Sequence, residues 1–192
     1  MPLPDTRQAI LDAAQAVLLE RGFDDGAMEA TRRQAAVSNG SLYHHFPSKA
    51  HLAQALYEAA LSDYHAALLA AVAGDAPAAL AVPALVQAHV AWVLRRPLRA
   101  RVLHELRRAA VIEGADEPWR DPHATALGQL RRWSEREMAA GRLRAMSFPV
   151  WMALVFAPVV QLTPTWLRSR RPAVPAEVRH LLAEAAWGAV AP

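Results

Sequence analysis

The sequence predicts an all-α protein in two parts, a three-helix N-terminal domain over residues 1–50 and a larger helical domain over residues 51–192. Three observations predict it. Hydrophobic residues make up 54% of the 192, enough for a substantial core. Ala, Leu, Arg and Val dominate while Ile, Thr, Phe and Tyr are scarce, which favours helices over sheets. Apolar residues then recur at helical spacing between breaks made by Gly and Pro.

Asp5-Thr-Arg-Gln8 is a capping-box pattern with Asp in place of Ser or Thr, and Ile10, Ala13, Ala14, Val17 and Leu18 form a one-sided apolar stripe. The first helix therefore runs to about Arg21, with Gly22 as its stop and Phe23 placed to fold back on its end. After an Asp24-Asp25-Gly26 turn, Ala27 to about Gln34 reads as a second helix with Met28, Thr31 and Ala35 inward and Glu29, Arg32 and Arg33 outward.

Ser38 to Lys49, Ser-Asn-Gly-Ser-Leu-Tyr-His-His-Phe-Pro-Ser-Lys, is the most informative stretch. Ser38 can cap a short helix that Pro47 ends near Phe46, and Ser48 can cap the next, with Lys49 at its open end. Leu42 and Phe46, four apart, share an inward face and leave Asn39, Gly40, Ser41, Tyr43 and His44 toward solvent. Gly40 lowers helix propensity by about 1 kcal/mol relative to Ala, and close approach to another surface explains its presence. Two short helices joined by Ala35-Ala36-Val37, the second presenting small polar groups, make a helix-turn-helix whose second helix enters a DNA major groove.

A long helix from Ser48 to about Val72 should link the two domains before Gly74 to Pro77 break the chain. Further helices are predicted over Pro77 to Leu94, Pro97 to Ile112, Pro122 to Ala140, Phe148 to Leu167 and Pro175 to Trp187.

The net charge of +3 suits a polyanionic partner, yet residues 1–50 carry five basic side chains against six acidic ones, a net of −1. DNA binding must then rest on where charges point. Lys49 is the only lysine; the other twenty basic residues are arginine. With no cysteine, disulfides and thiolate metal sites are excluded. No signal peptide is seen, and the most apolar run, Phe148 to Leu162, is too short and too proline-rich to span a bilayer, so a cytoplasmic protein without a membrane partner is expected.

Residues 6–60 resemble the N-terminal DNA-binding domain of the tetracycline-repressor (TetR) family. The resemblance rests on Arg7, Ile10 to Ala14, Arg21-Gly22-Phe23 and above all Val37 to Lys49. It implies a homodimeric, ligand-responsive transcriptional regulator, usually a repressor, that binds a palindromic operator and is released by a small molecule held in the C-terminal domain. By residue-for-residue correspondence, Asn39, Gly40, Ser41 and His44 match base-facing positions, and Tyr43, His45 and Lys49 match phosphate-holding ones. Ser38 caps the same helix, and Arg32 and Arg33 assist on the backbone. The chain departs from the pattern at Gly26, where a Thr or Ser cap is usual, at Thr31, where a large aliphatic is usual, and at Ala36, where the turn usually has Gly.

For a largely apolar effector, Trp92, Leu103, Arg107, Trp133, Phe156 and Gln161 are the candidate pocket residues, with Pro158 freeing a backbone carbonyl within the bundle. His89 and His104 read either as pocket donors or as core histidines. The helices at 148–167 and 175–187 need an apolar partner, and pairing with their own copies across a two-fold axis gives the dimer that the resemblance implies. No nucleophile elbow, catalytic triad, phosphate loop or metal set stands out, so no enzyme and no cofactor is expected. The other reading open to the chain is a small-molecule carrier that kept the fold and lost operator binding.

Overall fold

A computed structural model describes residues 5–22, 24–74, 76–109, 122–169 and 171–192. Among them are nine α-helices and no strand: α1 (Thr6–Arg21), α2 (Ala27–Ala35), α3 (Asn39–His45), α4 (Lys49–Ala71), α5 (Ala78–Arg95), α6 (Pro97–Ala109), α7 (Pro122–Ala139), α8 (Phe148–Leu167) and α9 (Ala176–Val190). The fold is all-α, as composition and periodicity predict.

Two compact units form, residues 1–61 with 98–120 and residues 62–97 with 121–192. The division does not follow one cut in the chain, because α6 falls in the unit of the N-terminal helices and α4 supplies residues to both units.

In the first unit, Asp5 caps α1 by accepting from the Arg7 N–H at 3.0 Å. The second half of the predicted capping box does not form, because Gln8 turns away from Asp5 and donates to Asp12 at 2.9 Å, one turn on. The stripe of Ile10, Leu11, Ala13, Ala14, Val17 and Leu18 is buried, and α1 packs against α2. Gly22 ends α1 at φ +84°, a left-handed value suited to glycine. Phe23 lies outside the described residues.

The second unit is built on an apolar cluster that includes Val82, Leu85 and Val86 of α5, Trp133 of α7, Trp151, Val155 and Val159 of α8, and Val190 of α9. α5 packs on α8 and α9, and α8 on α9. α7 ends at Gly141, φ +68°, where the N–H groups of Arg142 and Leu143 fold back onto the Glu137 carbonyl at 2.9 and 3.3 Å. α9 extends past its predicted end at Trp187 to Val190, since Gly188-Ala-Val carries no strong stop. The part of the predicted sixth helix beyond Ala109, to Ile112, lies outside the described residues.

One expectation is corrected. The segment that carries the apolar run is not too short to span a bilayer: α8 runs, as predicted, through Pro158 and Pro164 to Leu167, giving 20 residues of mean hydropathy 1.5. α5, 18 residues of mean hydropathy 1.4, is also long and apolar enough to cross a bilayer. Both helices contribute residues to the core of the second unit.

A polar chain crosses that core. The buried His89 of α5 has Nδ1 2.8 Å from the Tyr64 hydroxyl of α4 and Nε2 2.8 Å from Thr163 Oγ1 of α8. Thr163 donates its hydroxyl to the Val159 carbonyl at 3.0 Å. It must therefore accept from an Nε2–H of His89, while Nδ1 shares a hydrogen bond with the Tyr64 hydroxyl. His89 is thus a core histidine with both nitrogens engaged.

Candidate nucleic-acid interface

α3 is held from below and open above. The Ser38 hydroxyl accepts from the Ser41 N–H at 3.1 Å, and Leu42 and Phe46 are buried. Fixing these three points turns Asn39, Gly40, Tyr43 and His44 outward, all exposed, with Ser41 and His45 half-buried at the flanks. The outward face is short and rich in donors, the shape that a major groove admits. A Cβ built on Gly40 would meet nothing within 4 Å, so no packing within the protein demands glycine there.

Around the helix lie the cations. Ser48 accepts from the His51 N–H at 3.3 Å and so caps α4, which fixes Lys49 at that helix's first turn. Lys49 Nζ lies 3.1 Å from Asp25 Oδ1, in the turn ahead of α2. Arg32 is held by Glu29 through two bonds of 2.8 Å and reaches the Val37 carbonyl at 3.4 Å, tying the end of α2 to the turn. The hydrogen bond from Arg32, with the charges of Arg32 and Arg33 beside it, holds the Glu29 carboxyl below the usual range. Arg33 stays mostly exposed, 3.8 Å from Glu29. Arg7 stacks over Phe46 at 5.3 Å, in a groove of about 320 Å³ that it shares with His45 and His51.

The three departures in α2 have physical counterparts. Gly26 supplies no side-chain cap; the Asp24 side chain accepts the Gly26 N–H instead, at 2.9 Å. Thr31 is wholly buried and its hydroxyl has no partner, where an aliphatic would leave no polar atom unpaired. Ala36 takes φ +54°, ψ +37°, a left-handed conformation that disfavours any residue with a Cβ.

Of the six candidate pocket residues, those within the second unit have separate surroundings. Trp133 and Phe156 flank Trp151 at 5.9 and 6.3 Å, in an aromatic cluster where the buried Trp151 N–H has no acceptor. Trp92 is occupied elsewhere, donating to Asp63 at 2.8 Å and lying 4.9 Å from the Tyr64 ring. Leu103 is buried in the other unit, Gln161 is exposed on α8, and the Arg107 side chain lies outside the described residues. His104 is half-buried on α6.

An open cavity of about 360 Å³ in the second unit is lined by Gly74, Ala76, Pro77, Arg136, Glu137 and Arg142, none of them among the six. Glu137, almost fully buried, accepts from Arg142 at 2.7 and 3.1 Å and from Arg136 at 3.3 Å. The Arg142 bond outweighs burial and, with Arg136, holds its carboxyl below the usual range. The Glu137–Arg142 pair could have been suspected from its spacing across Gly141, but nothing local points to the pairing of Asp25 with Lys49.

A short capped helix with an open polar face, preceded by a second short helix and a tight turn, defines the class: a helix-turn-helix protein. Residues 10–56 match the model of the bacterial regulatory proteins, tetR family. The HTH-type transcriptional regulator UidR of Escherichia coli K12 is 33% identical over 141 residues, 72% of this chain and 65% of UidR. The match thus spans just under two thirds of that relative's length. Two crystal structures share the fold across nearly the whole chain. A putative tetR family transcription regulator from Shewanella sp. PV-4 has a TM-score of 0.76 at 21% identity, covering 98% of this chain and 99% of the other. A TetR family transcription regulator from Marinobacter aquaeolei VT8 has a TM-score of 0.77 at 19% identity, covering 97% and 95%. Residues 10–56 thus match the N-terminal region that this family's model describes, and the chain as a whole shares the fold of these two structures.

Proposed function

We propose that the protein is a transcriptional regulator that acts as a cytoplasmic homodimer on a palindromic operator, as a repressor, and leaves it when a small, largely apolar effector binds the second unit. One observation carries the DNA-binding part. The outward face of α3 presents Asn39, Tyr43 and His44 around a glycine that the fold itself does not require, and so leaves room for a surface brought close. Asn39, Gly40, Ser41 and His44 face bases in this reading, and Tyr43, His45, Lys49 and Arg33 face phosphates. Arg32 acts through the turn that it braces.

The dimer is supported by apolar side chains left in water on two helices, Val150, Leu154, Val160 and Leu162 of α8 and Leu181 of α9. Effector binding would bias α4 by differential affinity for two states of the dimer. Reading heads equally spaced in effector-bound and DNA-bound crystals would refute that mechanism.

An electrophoretic shift with the DNA upstream of the protein's own gene tests the reading. Sequence-dependent binding is expected, weakening with salt by about 0.9 in log–log slope for each phosphate held and abolished by Tyr43→Ala with Lys49→Ala. Binding that survives both substitutions rejects it. The carrier reading is favoured by α2, where the buried Thr31 hydroxyl has no partner and Ala36 is left-handed, and it predicts effector binding with no shift at all.

A further inference from the structure

Acidic side chains outnumber basic ones in residues 1–50, the wrong balance for a surface that meets phosphates. The placement of Asp25 gives part of that imbalance a use. Its side chain is fully exposed, and its Oδ1 holds Lys49 Nζ at 3.1 Å across 24 positions of sequence, while a third of the Lys49 side chain stays open to solvent. The neighbouring Asp24 has a backbone duty, accepting the Gly26 N–H, whereas Asp25 makes no other side-chain hydrogen bond among the described residues. A carboxylate whose one bond is to the only side-chain amine of the chain competes with any other anion for that amine.

We propose that Asp25 sets the affinity of the interface. Its carboxylate occupies Lys49 in the free protein, must yield it to a backbone phosphate, and lowers both the strength and the salt sensitivity of DNA binding. The inference rests on Lys49 being a phosphate contact. Duplex DNA, with about one charge per 1.7 Å of axis, wins the exchange, but Asp25 then stands beside the phosphate with its own charge uncovered. An amine shared with a carboxylate also releases less than one counterion from the DNA. Exposed pairs are weak, so the effect is a modest multiple.

The test uses the full chain and fluorescence anisotropy over a series of salt concentrations, with a labelled duplex of mixed sequence long enough for two half-sites. Asp25→Asn should tighten binding about two- to fivefold and steepen the salt slope by up to about 0.9. Glu20→Gln, the same charge change on an exposed residue of α1, should do less, and in a Lys49→Gln background the gain from Asp25→Asn should fall to that of Glu20→Gln. Equal gains from Asp25→Asn and Glu20→Gln in the wild-type background, or a gain from Asp25→Asn that persists in full without Lys49, overturn the inference. If Lys49→Gln binds as tightly as the wild type, the phosphate role of Lys49 fails and takes the inference with it. A wild-type chain that binds no duplex removes the DNA-binding reading itself.

Discussion

The ends of α2 and α7 meet the same requirement with unequal means. Each helix stops on a left-handed residue that lets the next N–H groups fold back. α7 uses Gly141 at φ +68° and reinforces the stop with the Glu137 side chain on Arg142. α2 uses Ala36 at φ +54° and carries an unpaired buried hydroxyl one turn earlier, on Thr31. The end of α7 is thus reinforced, while strain sits at the end of the helix that supports the reading head. Such strain persists only where surrounding structure enforces it, and here the well-anchored α3 and the Arg32 bond to Val37 do so.

Four substitutions sharpen or break the comparison, each read by urea denaturation. The largest effect should come from Glu137→Gln, which loses charge-assisted bonds and costs about 1.5–3 kcal/mol at neutral pH. Because the folded carboxyl titrates below its ordinary 4.5, its contribution is present above that value and is lost as the pH falls through the lower, folded one. The wild type should therefore lose stability on acidification below pH 4.5 more steeply than Glu137→Gln, and parallel acid limbs would show that Glu137 is not the cause. Next, Thr31→Val should stabilise by about 1–2 kcal/mol, since an orphaned hydroxyl costs about that much. A loss instead would mean that the hydroxyl has found a partner. Gly141→Ala should cost about 1 kcal/mol, through the backbone alone, because a Cβ there meets nothing within 4 Å. Smallest is Ala36→Gly, a gain of about 0.5 kcal/mol, the relieved strain less the added chain entropy. If Gly141→Ala and Ala36→Gly shift stability the same way, the two ends do not differ as described.

What was legible in the sequence was what is local. Ser38, Gly22, Pro97 and Gly141 mark helix ends through groups within a turn of themselves, and the structure keeps those ends. Gln8 shows how even local patterns have rivals: its side chain, which the capping box turns back to accept from the Asp5 N–H, instead donates to Asp12 one turn on. The resemblance over residues 6–60 named the reading head but not how its charges are spent. Tyr64, His89 and Thr163 meet across separations of 25 and 74 residues, Asp25 meets Lys49 across 24, and no periodicity encodes such meetings. Apolar character, on which most of the pocket candidates rest, does not by itself separate a cavity wall from a packed core such as the one where Trp133 and Phe156 lie.

One lysine among 192 residues means one side-chain amine, fixed at the first turn of α4. An ammonium held by a carboxylate or a phosphate resists acylation, whereas a free one reacts. An amine-directed reagent therefore marks a single internal peptide, and the extent of marking, read by mass, follows occupancy of the interface with no tag added. The same fact warns against anchoring this protein to a bead or chip through its amines, because the side-chain attachment point lies on the face proposed to read DNA.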